Sequence, residues 1–313
     1  MRGHGLPYGD SVVEVPDTVV APAPAPAHGG RLALAAALVT VTLWASAFVG
    51  IRSAGRDLSP GALSLGRNAV AVVALAALVA LRPSGRPARA DLPALALCGL
   101  LWFGLYNVVL NEAERRVDAG TAAMLVNVGP ILIAVLAGLL LHEGFPRGLV
   151  AGCSIAFAGV VVIGVATSGD GARAGWGAAL CLVAALAYAC AVILQKPVLD
   201  RASALWVVWI ACLVGTIACL PFAPTLVDEL AEARPGAIVW VVYLGVFPTA
   251  VAFTTWAYAL ARTTAGRMGS TTYLAPPLAI AMAWALLGET PPLAAIPGGA
   301  LCVLGVIVAR RSR

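Results

Sequence analysis

Residues 119–143 read AGTAAMLVNVGPILIAVLAGLLLHE, and residues 265–289 read AGRMGSTTYLAPPLAIAMAWALLGE. Laid over one another at an offset of 146 residues, the two stretches share their opening Ala-Gly, a proline (Pro130 and Pro276), a Leu-Leu pair (Leu140-Leu141 and Leu286-Leu287) and a closing glutamate (Glu143 and Glu289). The same offset carries Pro146 onto Pro292, Gly152 onto Gly298 and Gly159-Val160 onto Gly305-Val306, and an offset of 144 carries Trp44 onto Tyr188 and Arg52 onto Lys196. Alanine, leucine and valine matches are cheap in this composition. Proline, glycine and glutamate anchors at one fixed spacing are not, so the chain reads as one unit repeated twice.

What the unit is made of follows from its solvent. Of 313 residues 61% are hydrophobic and only 11% charged, roughly half the charge of a soluble domain, and mean hydropathy is +0.93. The charges cluster between uncharged stretches of about 20 residues, the length that crosses ~30 Å of hydrocarbon at 1.5 Å per residue. Candidate spans fall near 32–51, 60–81, 92–111, 119–141, 148–168, 174–195, 203–224, 236–261, 268–288 and 293–309, and only the second holds a charge, Arg67. The expected fold is an all-α integral membrane protein of ten transmembrane helices. An odd number of spans per unit turns the second unit upside down, giving two inverted five-helix repeats over 31–168 and 169–309.

The ends carry topology. Residues 1–30 hold Asp10, Glu14 and Asp17 and an Ala-Pro run, expected to be a disordered tail, with no basic start and apolar run of a signal peptide; 310–313 form a basic C-terminus. Arg2, Arg31, Arg82, Arg86, Arg89, Arg147, Lys196, Arg201, Arg262, Arg267, Arg310, Arg311 and Arg313 fall on the side of the termini, against Arg52, Arg56, Arg115, Arg116, Arg173 and Arg234 opposite. The positive-inside rule then makes both termini cytoplasmic.

Several function classes drop out. The net charge of +5 flanks hydrophobic spans and forms no basic stripe with aromatics, so no nucleic-acid partner is expected. Cys98, Cys153, Cys181, Cys190, Cys212, Cys219 and Cys302 lie in apolar stretches without metal spacing, and His4, His28 and His142 are the only histidines. Neither metal nor cofactor is expected, and no HExxH, GxSxG or P-loop pattern supplies catalytic residues. Inverted repeats point instead to a transporter, because two units of opposite orientation can rock about a midplane site.

These residues resemble the drug/metabolite transporter superfamily, specifically its EamA-type ten-helix transporters. The resemblance is carried by Leu43-Trp44-Ala45-Ser46-Ala47-Phe48, Arg67, Ala119-Gly120-Thr121-Ala122-Ala123 through Pro130 to His142-Glu143, Tyr273-Leu274-Ala275-Pro276 and Leu286-Leu287-Gly288-Glu289, and it covers about 32–309. It implies a multi-pass plasma-membrane carrier that moves metabolites, amino acids or drugs, commonly outward, with a small-molecule substrate and the lipid bilayer as its partners. A passive facilitator or channel, and a membrane-embedded enzyme, remain the alternatives; substrate, coupling and oligomeric state stay open.

Polar groups inside hydrocarbon mark candidate lining positions. Asn127 sits in the middle of the fourth span, with Tyr273 at the equivalent place in the ninth, and Trp44 and Tyr188 form a second related pair. These four are expected to line a central cavity, with aromatic faces for an organic solute and Asn127 as donor and acceptor; packing or interfacial aromatics at Trp44 and Tyr188 and an interhelical hydrogen bond at Asn127 are the alternatives. Asn107, Asn111 and Glu114 form a polar face running toward the outer mouth, with Glu114 a candidate for proton coupling and solvated loop charge the alternative. Arg67 is a candidate anchor for an anionic group or a structural ion. Pro130 and Pro276 are expected to break their helices as hinges. Glu143 and Glu289 precede the fifth and tenth spans, where a carboxylate complements the positive helix end.

Overall fold

The computed structural model describes residues 27–81, 85–117, 119–167, 173–288, 293 and 295–311. Twelve helices follow one another among them: α1 (Ala27–Ala54), α2 (Pro60–Leu81), α3 (Arg89–Ala113), α4 (Ala119–Val126), α5 (Gly129–Leu140), α6 (Arg147–Thr167), α7 (Arg173–Leu199), α8 (Ala204–Glu232), α9 (Pro235–Leu260), α10 (Ala265–Thr271), α11 (Ala275–Leu287) and α12 (Ala295–Arg311). No strand occurs among the described residues. Among the described residues, most of every stretch expected to be a span is helical. The expected tail lies outside the described residues except for 27–30, which already belong to α1, as Arg310 and Arg311 belong to α12. Glu289 and Pro292 also lie outside.

Six helices, α1, α2, α3, α7, α8 and α9, are long and apolar enough to cross a membrane; α5, α6 and α12 contain shorter apolar stretches. Their outer surface is apolar as well. Val73, Leu139, Leu140, Val239, Trp284 and Leu286 are all exposed, which suits lipid and not water.

The duplication is visible in local geometry. Two seven-residue stretches adopt the wider π-helical form, Leu100–Tyr106 within α3 and Gly245–Val251 within α9, at an offset of 145. The fourth and ninth spans are both broken. In the first, α4 stops at Val126 and α5 restarts at Gly129 with Pro130 in its opening turn, where a missing N–H costs nothing. In the second, a tight turn over Thr272–Leu274 separates α10 from α11, whose opening turn holds Pro276. The prolines therefore restart helices after the breaks.

α6 and α12, the last helices of the two units, make the most extensive helix pairing among the described residues. A Cβ on Gly152 would lie 2.4 Å from the Ala309 nitrogen and 2.6 Å from the Gly305 oxygen, while one on Gly159 would lie 2.5 Å from the Gly298 oxygen. As α6 runs from 152 to 159, its partner runs from 305 to 298, so the two helices are antiparallel. The contact is reciprocal: Gly152 meets the counterpart of Gly159, and Gly159 meets the counterpart of Gly152.

Glu143 departs from expectation. Its carboxylate accepts from the backbone N–H groups of Ala265 (2.7 Å) and Gly266 (3.2 Å), so it caps α10 in the other unit and not the helix that follows it. The turn before α6, with Gly144 at φ 70°, carries the side chain across.

Candidate functional site

A cavity of about 630 Å³ lies between the units. Helix α1 presents Trp44, Ala47, Phe48 and Ile51 to it, the i, i+3, i+4, i+7 pattern of one helix face. Arg67 comes from α2, Trp102, Tyr106, Asn107 and Leu110 from α3, Val126 and Asn127 from the break after α4, Tyr188 from α7, Phe253 from α9, and Thr272 and Ala275 from the break after α10.

Aromatic rings form its floor. Trp44 stands 6.0 Å from Trp102, 6.2 Å from Tyr188 and 5.3 Å from Phe253 between centroids, and Trp102 stands 5.2 Å from Tyr188 and 4.8 Å from Phe253. Trp44 and Tyr188, equivalent in the repeat, thus meet each other. Three polar atoms in this lining, Trp44 Nε1, Asn127 Oδ1 and Tyr188 Oη, are buried without a hydrogen-bond partner among the described residues. Trp44 Nε1 is a donor, Asn127 Oδ1 an acceptor and Tyr188 Oη either, a set that can complement a polar ligand group. The break exposes Asn127: its Nδ2 donates back to the Ala123 carbonyl at 2.6 Å and its Oδ1 is left to the cavity.

Arg67 is the only charged residue in the lining among the described residues and is 4% exposed. Its Nε and Nη2 both donate to the Thr249 hydroxyl, at 3.2 and 3.0 Å, and Thr249 in turn donates to the Leu244 carbonyl at 2.7 Å. Thr249 lies in the π-helical stretch of α9, whose widened turn leaves a side-chain hydroxyl to reach α2.

Other expected positions fall differently. Asn107 lines the cavity, but its Nδ2 is engaged by Asn68 Oδ1 and the Phe103 carbonyl, both at 3.2 Å; Asn111 donates to the Pro60 carbonyl (3.1 Å) and Ser64 Oγ (3.0 Å). Asn107 and Asn111 on this face of α3 are pinned to α2 through their amide nitrogens, because buried amides must find partners. Tyr273 requires correction: it is fully buried in a cluster with Leu149, Cys153, Cys302 and Val306 and does not line the cavity. The tight turn after α10 rotates the chain so that the preceding residue, Thr272, takes the inward place.

Glu114 is not a solvated loop charge. It is 8% exposed and both carboxylate oxygens lack a hydrogen-bond partner among the described residues. It lines a second cavity with Arg52, Pro60, Leu63, Asn111 and Arg115, which shares Ile51 with the central one. Neighbouring Glu112 instead pairs with Arg116 on the surface, and Asp118 lies outside the described residues.

Trp102, Tyr106, Phe48, Phe253 and Thr272 escaped the sequence reading. Phe48 is one helical turn beyond Trp44, and Trp102 and Tyr106 are one turn apart in the span that carries Asn107, so helical spacing from residues already singled out was the available signal. Among the described residues no group of three or more His, Cys, Asp or Glu side chains is placed to hold a metal.

Comparison with known proteins is consistent along the chain. The EamA-like transporter family is matched twice, by residues 31–165 and 175–311. A protein of Streptantibioticus cattleyicolor named "Probable terminal-alkyne amino-acid exporter" is 40% identical over 88% of this chain and 92% of its own. A Bacillus subtilis protein named "Uncharacterized transporter YdfC" is 33% identical over 85% of this chain and 87% of its own. A crystal structure at 20% identity covers 92% of this chain and 99% of its own with a TM-score of 0.72, a likeness of fold.

Proposed function

The chain belongs to the EamA-like transporter family, and from that premise we propose that it exports small amphipathic metabolites of the amino-acid type by alternating access around the cavity between its units. The observation that carries this reading is the cavity itself: aromatic walls from both units, and three buried polar atoms without partners, Trp44 Nε1, Asn127 Oδ1 and Tyr188 Oη. The name borne by the relative at 40% identity supports both the outward direction and the amino-acid cargo.

Ten spans in two inverted repeats are the architecture this mechanism needs. The antiparallel, reciprocal contact of α6 and α12, the π-helical stretches at equivalent places and the paired broken helices all support it. With both termini cytoplasmic, the conformation at hand faces outward. Toward the termini α1 and α9 are closed by Thr40, whose hydroxyl lies 2.8 Å from that of Thr255 and donates to the Ala252 carbonyl at 3.2 Å, and Glu143 clasps α10. Away from the termini, Ile51 lines both the central cavity and the second one.

Counterflow of hydrophobic amino acids in proteoliposomes tests the reading. Saturable exchange in the wild type, lowered in Asn127→Ala and Tyr188→Phe with normal yield of protein, is expected. Conductance without exchange would make the protein a channel, and unchanged exchange in both variants would remove the cavity from the pathway.

A further inference from the structure

We infer that Arg67 is the specificity determinant of the central cavity, holding the carboxylate of an otherwise apolar solute, so that the site selects acids over amines and alcohols of the same shape. This rests on the cavity being the transport site.

The argument begins with an unbalanced charge. The Arg67 guanidinium is 4% exposed in an apolar wall, and no carboxylate lies within the 4 Å of an ion pair among the described residues. A structural arginine in hydrocarbon is expected to have such a partner, because removing a guanidinium from water is costly without one. Here its protein partner is a neutral hydroxyl. Thr249 Oγ1 takes Nε and one proton of Nη2, while Nη1 has no hydrogen bond among the described residues.

That arrangement positions the fork without neutralising it. Thr249 is itself fixed by its bond to the Leu244 carbonyl, so the edge of the guanidinium bearing Nε is tethered to α9. The remaining donors, both on Nη1 and the second on Nη2, are left for another acceptor. A planar set of donors with net positive charge is matched by a carboxylate, which accepts two parallel bonds and supplies the missing charge.

The rest of the lining chooses between ligand charges. Aromatic faces at Trp44, Trp102, Tyr188 and Phe253 can attract a cation as well as cover an apolar body. A cation in this volume, however, shares it with a permanent guanidinium and finds no carboxylate in the lining. Glu114 interacts with Arg67 through space but belongs to the adjoining cavity, where Arg52 and Arg115 stand beside it. An anionic head at Arg67 with an apolar tail against the rings satisfies both parts of the cavity. A free ammonium is tolerated on such a solute and not required.

The test uses the full-length chain in detergent and four solutes on one frame: 3-phenylpropionate, L-phenylalanine, phenethylamine and 3-phenylpropanol. Binding is followed by tryptophan fluorescence, since Trp44 and Trp102 form the wall. Wild-type protein is expected to bind the two acids more tightly than the amine and the alcohol. Arg67→Gln should weaken both acids by about 10- to 100-fold and leave the amine and alcohol unchanged, the loss expected for hydrogen bonds to a charged group. Arg67→Lys, keeping charge without the fork, should retain part of the preference. A merely structural arginine would shift all four solutes together. The wild type binding the amine as tightly as 3-phenylpropionate overturns the inference even if neither variant is recovered, as does folded Arg67→Gln that still prefers acids; in either case the cavity reading survives. Absence of binding by all four would bring down the cavity reading and this one with it.

Discussion

The α6–α12 seam and the central cavity lie between the same two units, and they solve opposite problems. At the seam, Gly152, Gly159 and Gly305 remove side chains so that backbones touch; a Cβ on any of them would meet main-chain atoms at 2.4–2.5 Å. Between apolar helices in lipid there is no hydrophobic drive to associate, so close packing of this kind supplies the attraction. At the cavity the same interface is held open by large rings and by polar atoms with nothing to bond. The seam spends its residues on contact, the cavity on unfilled capacity, and substitutions at the two places should fail in different ways.

The largest effect is expected at the seam. Gly159→Leu drives a side chain into the Gly298 carbonyl and the Cys302 nitrogen, backbone atoms that cannot turn aside. Folded protein should largely vanish from the membrane fraction. Gly236→Ala is the control, since nothing lies within 4 Å of a Cβ there, and it should express normally. If Gly159→Leu gives a normal, monodisperse yield, the seam is not what joins the units. Next comes Trp102→Ala. Trp102 is 1% exposed and rings with Trp44, Phe103, Tyr188, Phe253 and Trp256, so its loss should cost about 3–5 kcal/mol of packing as well as ligand binding, read as a lowered Tm. This one substitution should look like the seam and the cavity at once.

The sequence made the repeat, the helical class and the membrane legible, because each leaves a periodic mark: anchors at one offset, and uncharged stretches of bilayer length. Trp44, Asn127 and Tyr188 were reachable by the same logic and line the cavity. Tyr273 was not. The 146-residue offset aligns it with Asn127, but one break is a loose turn and the other a tight one, and a single residue of rotation moves the inward position to Thr272. Burial of Glu114 was equally hidden, since a glutamate two residues from Glu112 and beside two arginines reads as surface until the fold turns it inward. Sequence offset gives equivalence to within a residue, and at a cavity wall one residue decides whether a side chain faces inward.

Smaller effects separate the cavity from its surroundings. Asn127→Ala removes an acceptor that has no protein partner, so ligand affinity should fall about tenfold, the worth of one net hydrogen bond, with Tm nearly unchanged. Tyr273→Phe removes a hydroxyl that likewise has no partner among the described residues, from a packed cluster outside the cavity lining. Transport should be unaltered and Tm should hold or rise by up to about 1 kcal/mol of stability, because a buried unsatisfied hydroxyl is a cost. Transport loss in Tyr273→Phe would put that residue back in the pathway and weaken the contrast between wall and packing.

The smallest effect lies outside both regions, where the turn between α1 and α2 meets the turn before α9. Arg234 donates from Nε to Asp57 Oδ1 and from Nη2 to Oδ2, both at 2.9 Å, and these bonds hold the Asp57 carboxyl below its usual range. A carboxyl whose folded value is lowered adds stability that is fully present above the ordinary carboxylate range and is lost as pH falls through the lowered value. Arg234 is 64% exposed, so water and salt screen the pair and its contribution is slight. Wild type and Asp57→Asn should therefore differ a little in Tm near neutral pH, less in high salt, and not at all in acid. A difference that grows on acidification would mean that the pair opposes the conformation seen here, in which the two units are joined at this turn as well as at the seam.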